Sequence, residues 1–198
     1  MNKIKNHDIK KIKNGDLFIF PTETVLGLGV IYGADTKNIY EIKGRDFKKP
    51  LSLHLTKDLN YLQFWRNNIP EWMKQLIIDI TPGPYTFIYY KNDNLLHNFP
   101  FEKIGLRFPD DKTFINLISQ LERPIWGTSA NLSGSLAIVK ISDLPLKMRE
   151  SVSCMIHGTE SLGKESTVVD LTENELDKMI LRTGAGDVSL IEKYWRNK

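Results

Sequence analysis

One cysteine, Cys154, stands in 198 residues. A single thiol excludes an internal disulfide and any zinc site built from clustered cysteines. Long apolar runs are also missing: the stretch Leu76 to Ile80 is broken by Asp79, far short of the roughly eighteen residues of a membrane span. The amino terminus, MNKIKNHDIKKIKNGD, is basic but lacks the apolar core of a secretory signal. A cytoplasmic protein with no membrane partner is the expectation. Charge of one sign is scarce too. A net charge of +3 is too small an excess to argue by itself for a nucleic-acid binder, and lysine runs at the ends read as solvated surface.

The familiar catalytic cradles are equally absent. There is no P-loop signature, no GxGxxG at a strand-to-helix junction, no GxSxG elbow and no HExxH helix. Cys154 and His157 lie too close along one strand to face each other as a nucleophile and its base, so hydrolase chemistry is a poor fit, and Cys154 reads as core.

What is present is an ordinary core-forming composition, 41% hydrophobic and 26% charged. Helix signals cover 7–13, then Asp35 as cap to about Lys43, a helix capped by Thr56, a helix from Pro70 through Ile80, and Asp111 to Leu121. A closing helix capped by Asp187 should turn Leu190, Ile191 and Tyr194 inward. Strands are expected at Leu17–Phe20, Leu51–Leu55, Thr86–Tyr90, Gly105–Phe108, Pro124–Trp126, Val152–Ile156, Ser166–Leu171 and Lys178–Arg182. In Leu51–Leu55 the leucines alternate with Ser52 and His54, placing that polar pair on one face. Strands and helices mix along the whole length with no repeat and no linker. The expectation is α/β: a single-domain twisted mixed sheet flanked by helices, over 1–198.

Five polar segments sit beside these strands: PTETVLGLG (21–29), KGRDFKKPLSLH (43–54), GLRFPD (105–110), GTSANLSG (127–134) and STVVDLTENELDKMILRTG (166–184). Each combines hydroxyls, glycines and isolated cations, the set that holds anions: glycine admits close backbone approach, N–H and O–H groups donate, Lys or Arg neutralises. Each also has a local explanation. Thr22-Glu23-Thr24 could be a turn with a cap, Lys43 and Arg45 could answer a helix dipole, and Ser129, Asn131 and Ser133 could build a turn. His54 could be a satisfied strand histidine and Arg107 a surface arginine.

Taken in order, the segments resemble the YrdC-like family of threonylcarbamoyl-AMP synthases. The likeness rests on Pro21-Thr22-Glu23-Thr24-Val25, Gly27-Leu28-Gly29, Lys43, Arg45, Pro50-Leu51, His54, Pro82-Gly83-Pro84, Thr86, Arg107, Pro109, Ser129-Ala130-Asn131, Ser133-Gly134, Ser166 to Asp170, Arg182 and Gly184, over about 8–184. Two positions depart from the family pattern: Leu26 stands where an aromatic is usual, and Asp46 where proline usually follows the arginine. The resemblance is to the short, TsaC-type form without an additional carboxy-terminal domain, and it implies a basic concave face on the sheet.

The resemblance implies the reaction L-threonine, bicarbonate and ATP to threonylcarbamoyl-AMP and pyrophosphate, for threonylcarbamoyladenosine modification of tRNA. It assigns catalysis to Lys43 and Arg45, and ATP binding to Lys43, Arg45, Lys49, Ser129, Asn131, Ser133 and Arg182. Threonine is assigned to Thr22, Thr24, His54, Arg107 and Thr167. Mg2+ is expected with the triphosphate, without an assigned protein ligand. A TsaD-type transferase is the expected consumer of the product, and weak RNA binding is a further partner expectation. The alternative is an RNA-binding module of the same fold with no synthase activity. A carbamoyl-transfer module of the hydrogenase-maturation kind would need cysteine-rich zinc fingers, which one cysteine cannot build.

Overall fold

The computed structural model describes Ile9, residues 12–158 and residues 161–197. Its frame is built from short segments with period-two patterning. These form β1 (Phe18–Phe20), β2 (Gly27–Ile31), β3 (Ser52–His54), β4 (Tyr85–Tyr90), β5 (Lys103–Arg107), β6 (Ile125–Ser129), β7 (Cys154–Met155), β8 (Thr167–Asp170) and β9 (Ile180–Arg182). Among the described residues they make one mixed sheet in the order β7-β1-β2-β6-β3-β5-β4-β8-β9. The pairs β1–β7, β3–β5 and β4–β8 run parallel; the other five are antiparallel.

Because side chains alternate across a strand, this register sorts the sequence into two faces. One face carries Leu28, Val30, Leu53, Phe87, Ile104, Leu106, Trp126 and Val169, all in the larger apolar core. Helices that contribute to that core include α1 (Lys37–Lys43) through Ile39 and Tyr40, α2 (Glu71–Ile80) through Met73, Leu76 and Ile77, and α4 (Leu146–Ser151) through Met148; the helix residues Met179 and Ile191 join them. The opposite face is divided. Over β1 it is apolar, with Phe18 and Phe20 packed on Phe114, Leu117 and Ile118 of α3 (Lys112–Leu121). Across the central strands it is lined by small and polar residues.

The helix starts follow local chemistry. Asp111 Oδ1 accepts the Phe114 N–H at 2.9 Å, and Asp187 Oδ1 accepts the Ser189 N–H at the start of α6 (Val188–Arg196). Asp35 accepts the Lys37 N–H at 2.9 Å although Thr36 is the boundary residue. A left-handed Gly44 (φ 59°) closes α1, a conformation that glycine adopts without a Cβ clash.

Several expectations need correction. Residues 27–31, for which no strand was expected, form the five-residue strand β2. Glycine inside a strand reads as a breaker, but here a Cβ on Gly27 or Gly29 would collide with the Phe20 ring, so the neighbouring aromatic demands the glycines. Thr56 caps no α-helix; the chain turns and forms a 3-10 turn at Tyr61–Phe64 instead. Strand β6 runs on past Trp126 through Ser129, drawn out by its antiparallel pairing with β2. The strand at 152–156 contracts to two residues, and α4 and the one-turn α5 (Leu176–Met179) were not expected. Ile191 is buried as expected, whereas Leu190 is exposed because α6 touches the body along a narrow stripe. Cys154 is half-buried at the sheet edge. The helix expected at 7–13 lies mostly outside the described residues, within which Ile9 and Ile12 are buried.

Candidate active site

Two adjacent rows of paired residues cross the sheet and create the site. In the first, Gly29, Gly127, Ser52, Gly105, Ile88 and Asp170 lie side by side on β2, β6, β3, β5, β4 and β8. In the second, Ile125, His54, Arg107, Thr86, Val168 and Arg182 do the same through β9. The first row is mostly glycine and serine, so the sheet is bare there, while the second raises a wall of functional side chains beside it. The result is a cavity of about 440 Å³ whose floor is the sheet itself.

The loops at its rim come from the polar segments. Thr22 and Thr24 sit on the turn after β1, their hydroxyls 2.8 Å apart, with Thr22 Oγ1 donating to Val25 O and accepting the Val25 N–H. Arg45 follows the end of α1, and Glu165 and Ser166 precede β8. Ser166 Oγ lies 2.8 Å from Thr86 Oγ1 and accepts from Arg182 Nη2 at 3.2 Å.

Of the residues expected at the site, Thr22, Thr24, Arg45, His54, Arg107, Ser129 and Arg182 line this cavity. Lys43, Lys49, Asn131, Ser133 and Thr167 are not in its lining. Lys43 is only 3% exposed, and its Nζ donates to the carbonyls of Ser129 and Asn131 and to Asn131 Oδ1. Ser129 Oγ donates to the same Asn131 Oδ1 at 2.5 Å, and the Ser133 N–H donates to Lys43 O at 3.0 Å. Lys43 thus fastens the 129–133 loop to the end of α1 from behind the cavity wall. Thr167, fully buried, donates to Gly186 O and accepts the Gly184 N–H, tying the chain after β9 to β8. Lys49 and Ser133 are exposed.

Arg107 is buried, and its fork is held by the protein. Nη1 donates to Gly83 O and Tyr85 O, and Nη2 to Glu23 Oε1 at 2.6 Å and Thr24 Oγ1 at 3.4 Å. Burial pulls its pKa down and the Glu23 carboxylate opposes that pull. His54 is held neutral: burial, then the Arg107 charge, lower its pKa to about 3, outweighing a contact with Ser52 O. Burial and the nearby Arg45 charge lower Lys43 to about 8, against the Glu165 carboxylate.

The lining charges are mixed rather than uniformly positive. Arg182 pairs with Glu165 at 2.7 Å, Lys103 with Asp170 at 2.9 Å, and Arg107 with Glu23. Arg45 donates from Nε to Lys49 O and from Nη2 to Pro50 O, and it joins no ion pair among the described residues. Sequence reasoning missed Glu23, Ser52, Thr86, Lys103, Glu165, Ser166 and Asp170 as site groups. A signal existed for Ser52 and Thr86, because both alternate with core residues on strands and so share the face of His54 and Arg107. For the acids there was none, since their partners come from distant segments.

A second, larger cavity of about 640 Å³ opens on the other side of β6, walled by Tyr32, Tyr40, Phe47, Phe99, Phe101 and Trp126. Lacking the arginines and the hydroxyl rows, it is not the place for anionic chemistry. Among the described residues no cluster of three His, Cys, Asp or Glu could hold a metal ion, and no helix is long and apolar enough to cross a membrane.

Known proteins share the fold. The Sua5/YciO/YrdC family model, described as telomere recombination, matches residues 10–184. A threonylcarbamoyl-AMP synthase of Pyrococcus abyssi is 34% identical over 187 residues, covering 92% of this chain and 54% of that protein. The crystal structure of P. abyssi Sua5 complexed with L-threonine superposes with a TM-score of 0.80 at 31% identity, over 98% of this chain and 58% of that one. The Escherichia coli YciO structure gives a TM-score of 0.80 at 25% identity, over 93% and 91% of the two chains. The chain spans about half the length of the curated synthases it matches first.

Proposed function

Because the chain belongs to the Sua5/YciO/YrdC family, we propose that it is a threonylcarbamoyl-AMP synthase, joining L-threonine, bicarbonate and ATP into threonylcarbamoyl-AMP with release of pyrophosphate. One observation carries this reading. Five segments that are far apart in sequence bring Thr22, Thr24, Arg45, His54, Arg107, Ser129 and Arg182 to a single cavity of about 440 Å³. Support comes from the relatives: several are named for this activity, and one structure holds L-threonine.

The chemistry asks for oriented donors rather than a covalent nucleophile. The threonine amine adds to bicarbonate, losing water, to give a carbamate. A carbamate oxygen then attacks the α-phosphorus of ATP, and the bond to the pyrophosphate oxygen breaks. Charge crowds the path throughout, so cations in a partly dry cleft lower the barrier. Arg45, with one terminal nitrogen beyond its Lys49 and Pro50 contacts, and Arg182 are the proposed partners of phosphate oxygens, a role their cavity-lining position supports. Ser129 adds a hydroxyl, and Lys43 holds that hydroxyl's loop in place. The threonine side falls to Thr22, Thr24 and the neutral His54, with Arg107 shaping the wall they stand on.

Mg2+ would enter with the triphosphate, bound by phosphate oxygens and water. The described residues build no carboxylate cage for it: Asp170 is engaged by Lys103 and Thr172, and Glu165 by Arg182. The product is a reactive mixed anhydride, so a TsaD-type transferase acting on tRNA is its proposed consumer, and RNA affinity of this chain is proposed to be weak.

Mass detection of threonylcarbamoyl-AMP from purified protein, ATP, threonine and bicarbonate tests the reading. Pyrophosphate release must require both threonine and bicarbonate. RNA binding that falls steeply with salt, with no such release, would favour the binding-module alternative.

A further inference from the structure

Glu165 is an acid in a cavity read as a site for polyphosphate. It lies just before β8, lines the cavity, and accepts from Arg182 Nη1 at 2.7 Å. Its charge also reaches Lys43 and Arg45, where it works against the effect of burial and favours their charged forms. One carboxylate therefore acts on two cavity-lining arginines, Arg45 and Arg182, and on Lys43 behind the wall.

The two partners are anchored differently. Arg182 is held by the backbone and by Ser166: Nε donates to Ser166 O at 3.0 Å and Nη2 to Ser166 Oγ at 3.2 Å. Its guanidinium stays in place when Nη1 is released. Glu165 is pinned only through its main chain, whose carbonyl accepts the Ala185 N–H at 2.8 Å, while its side chain is 37% exposed and can swing outward. Asp170 differs in kind. Its side chain is 8% exposed and is held by Thr172 as well as Lys103.

We propose that Glu165 is a built-in anion that occupies the phosphate-binding position of Arg182 and must be displaced by the incoming polyphosphate. A half-exposed ion pair is weak enough to exchange. A triphosphate or pyrophosphate group carries enough charge to win that exchange. Only the unpaired state accepts ligand, so the apparent affinity is lowered by the fraction of time that the pair is formed. Glu165 thereby weakens the site for pyrophosphate and for lone phosphate by the same factor. The inference rests on reading the cavity as a polyphosphate site and not on the synthase chemistry.

The test is calorimetric titration of inorganic pyrophosphate and of inorganic phosphate into the full chain and into Glu165→Gln. Glutamine keeps an acceptor for Arg182 while removing the charge. The variant should bind pyrophosphate about three- to tenfold more tightly, with a similar proportional gain for phosphate. Glu165→Ala, which gives up the hydrogen bond as well, should move the same way. Unchanged or weaker pyrophosphate binding in both variants overturns the proposal, as does a loss seen only when Mg2+ is present, which would make the carboxylate a metal ligand. If neither variant folds, a structure of the unaltered chain with pyrophosphate decides: a Glu165–Arg182 contact kept at its present length beside bound pyrophosphate overturns it. Because direct binding is read, failure here is distinct from failure to form threonylcarbamoyl-AMP.

Discussion

His54 and Arg107 are paired across the parallel strands β3 and β5, so a neutral imidazole stands beside a buried guanidinium. The Phe20 ring meets the imidazole edge-on at 5.1 Å, which completes its desolvation.

This arrangement gives stability a pH dependence of defined sign. In the unfolded chain His54 takes a proton near pH 6.5; folded, it resists until about pH 3. Between those values the unfolded state binds more protons, so stability is full above pH 6.5 and declines as pH falls. From pH 7 to pH 5 the contribution of this one residue is a loss of about 2 kcal/mol. Urea unfolding at the two pH values should show it, and His54→Gln should flatten the difference. A wild-type midpoint that does not move would contradict the assignment.

Arg107→Lys should damage both fold and site. The guanidinium serves Gly83 O, Tyr85 O, Glu23 and Thr24 from one rigid fork, and an ammonium cannot reach all four. Glu23 Oε2 already lacks a hydrogen-bond partner, so a weakened pair leaves the carboxylate poorly compensated. Destabilisation of about 2–4 kcal/mol is expected by denaturant titration. Threonine binding should weaken more than ATP binding, because the Thr22–Thr24 turn leans on this arginine. Equal losses for both ligands would leave Arg107 a purely structural post.

Gly127→Ala tests the bare floor. A Cβ there would sit 2.8 Å from Phe20 Cζ and 2.9 Å from His54 Nδ1, and both rings are buried. Overpacking of this kind costs about 1–3 kcal/mol. Adding Phe20→Leu to the variant should recover part of that loss in the same unfolding assay. No recovery would mean that the strain lies in the backbone and not against the ring.

Arg45→Ala should reduce threonine-dependent pyrophosphate release by about a hundredfold or more, the scale of removing one preorganised charge donor. Cys154→Ser, at the sheet edge and outside the cavity lining, should leave turnover close to unchanged. Normal turnover in Arg45→Ala would remove this residue from the phosphate site.

Much of the frame was legible locally. Capping aspartates, the Pro70 start and the alternation in Leu51–Leu55 and Thr86–Tyr90 act within a few residues, so the sequence states them directly. β2 was not legible, because its glycines are explained by residues of the neighbouring strands, Phe20 at Gly27 and Ile125, Trp126 and Phe20 at Gly29. Leu190 and Ile191 differ in burial for a similar reason: docking geometry, not periodicity, chose the stripe.

The residue order alone determined which chemical groups exist and that they are gathered into five polar segments. Tertiary structure decided how they are spent. Lys43 looks free in the sequence, yet the strand order sets the carbonyls of Ser129 and Asn131 at its tip, and a buried ammonium must take the acceptors it meets. Arg182 looks equally free until the fold lays Glu165 against it. Donor type is written residue by residue; the identity of each partner depends on distances between strands remote in sequence, which only the folded sheet fixes.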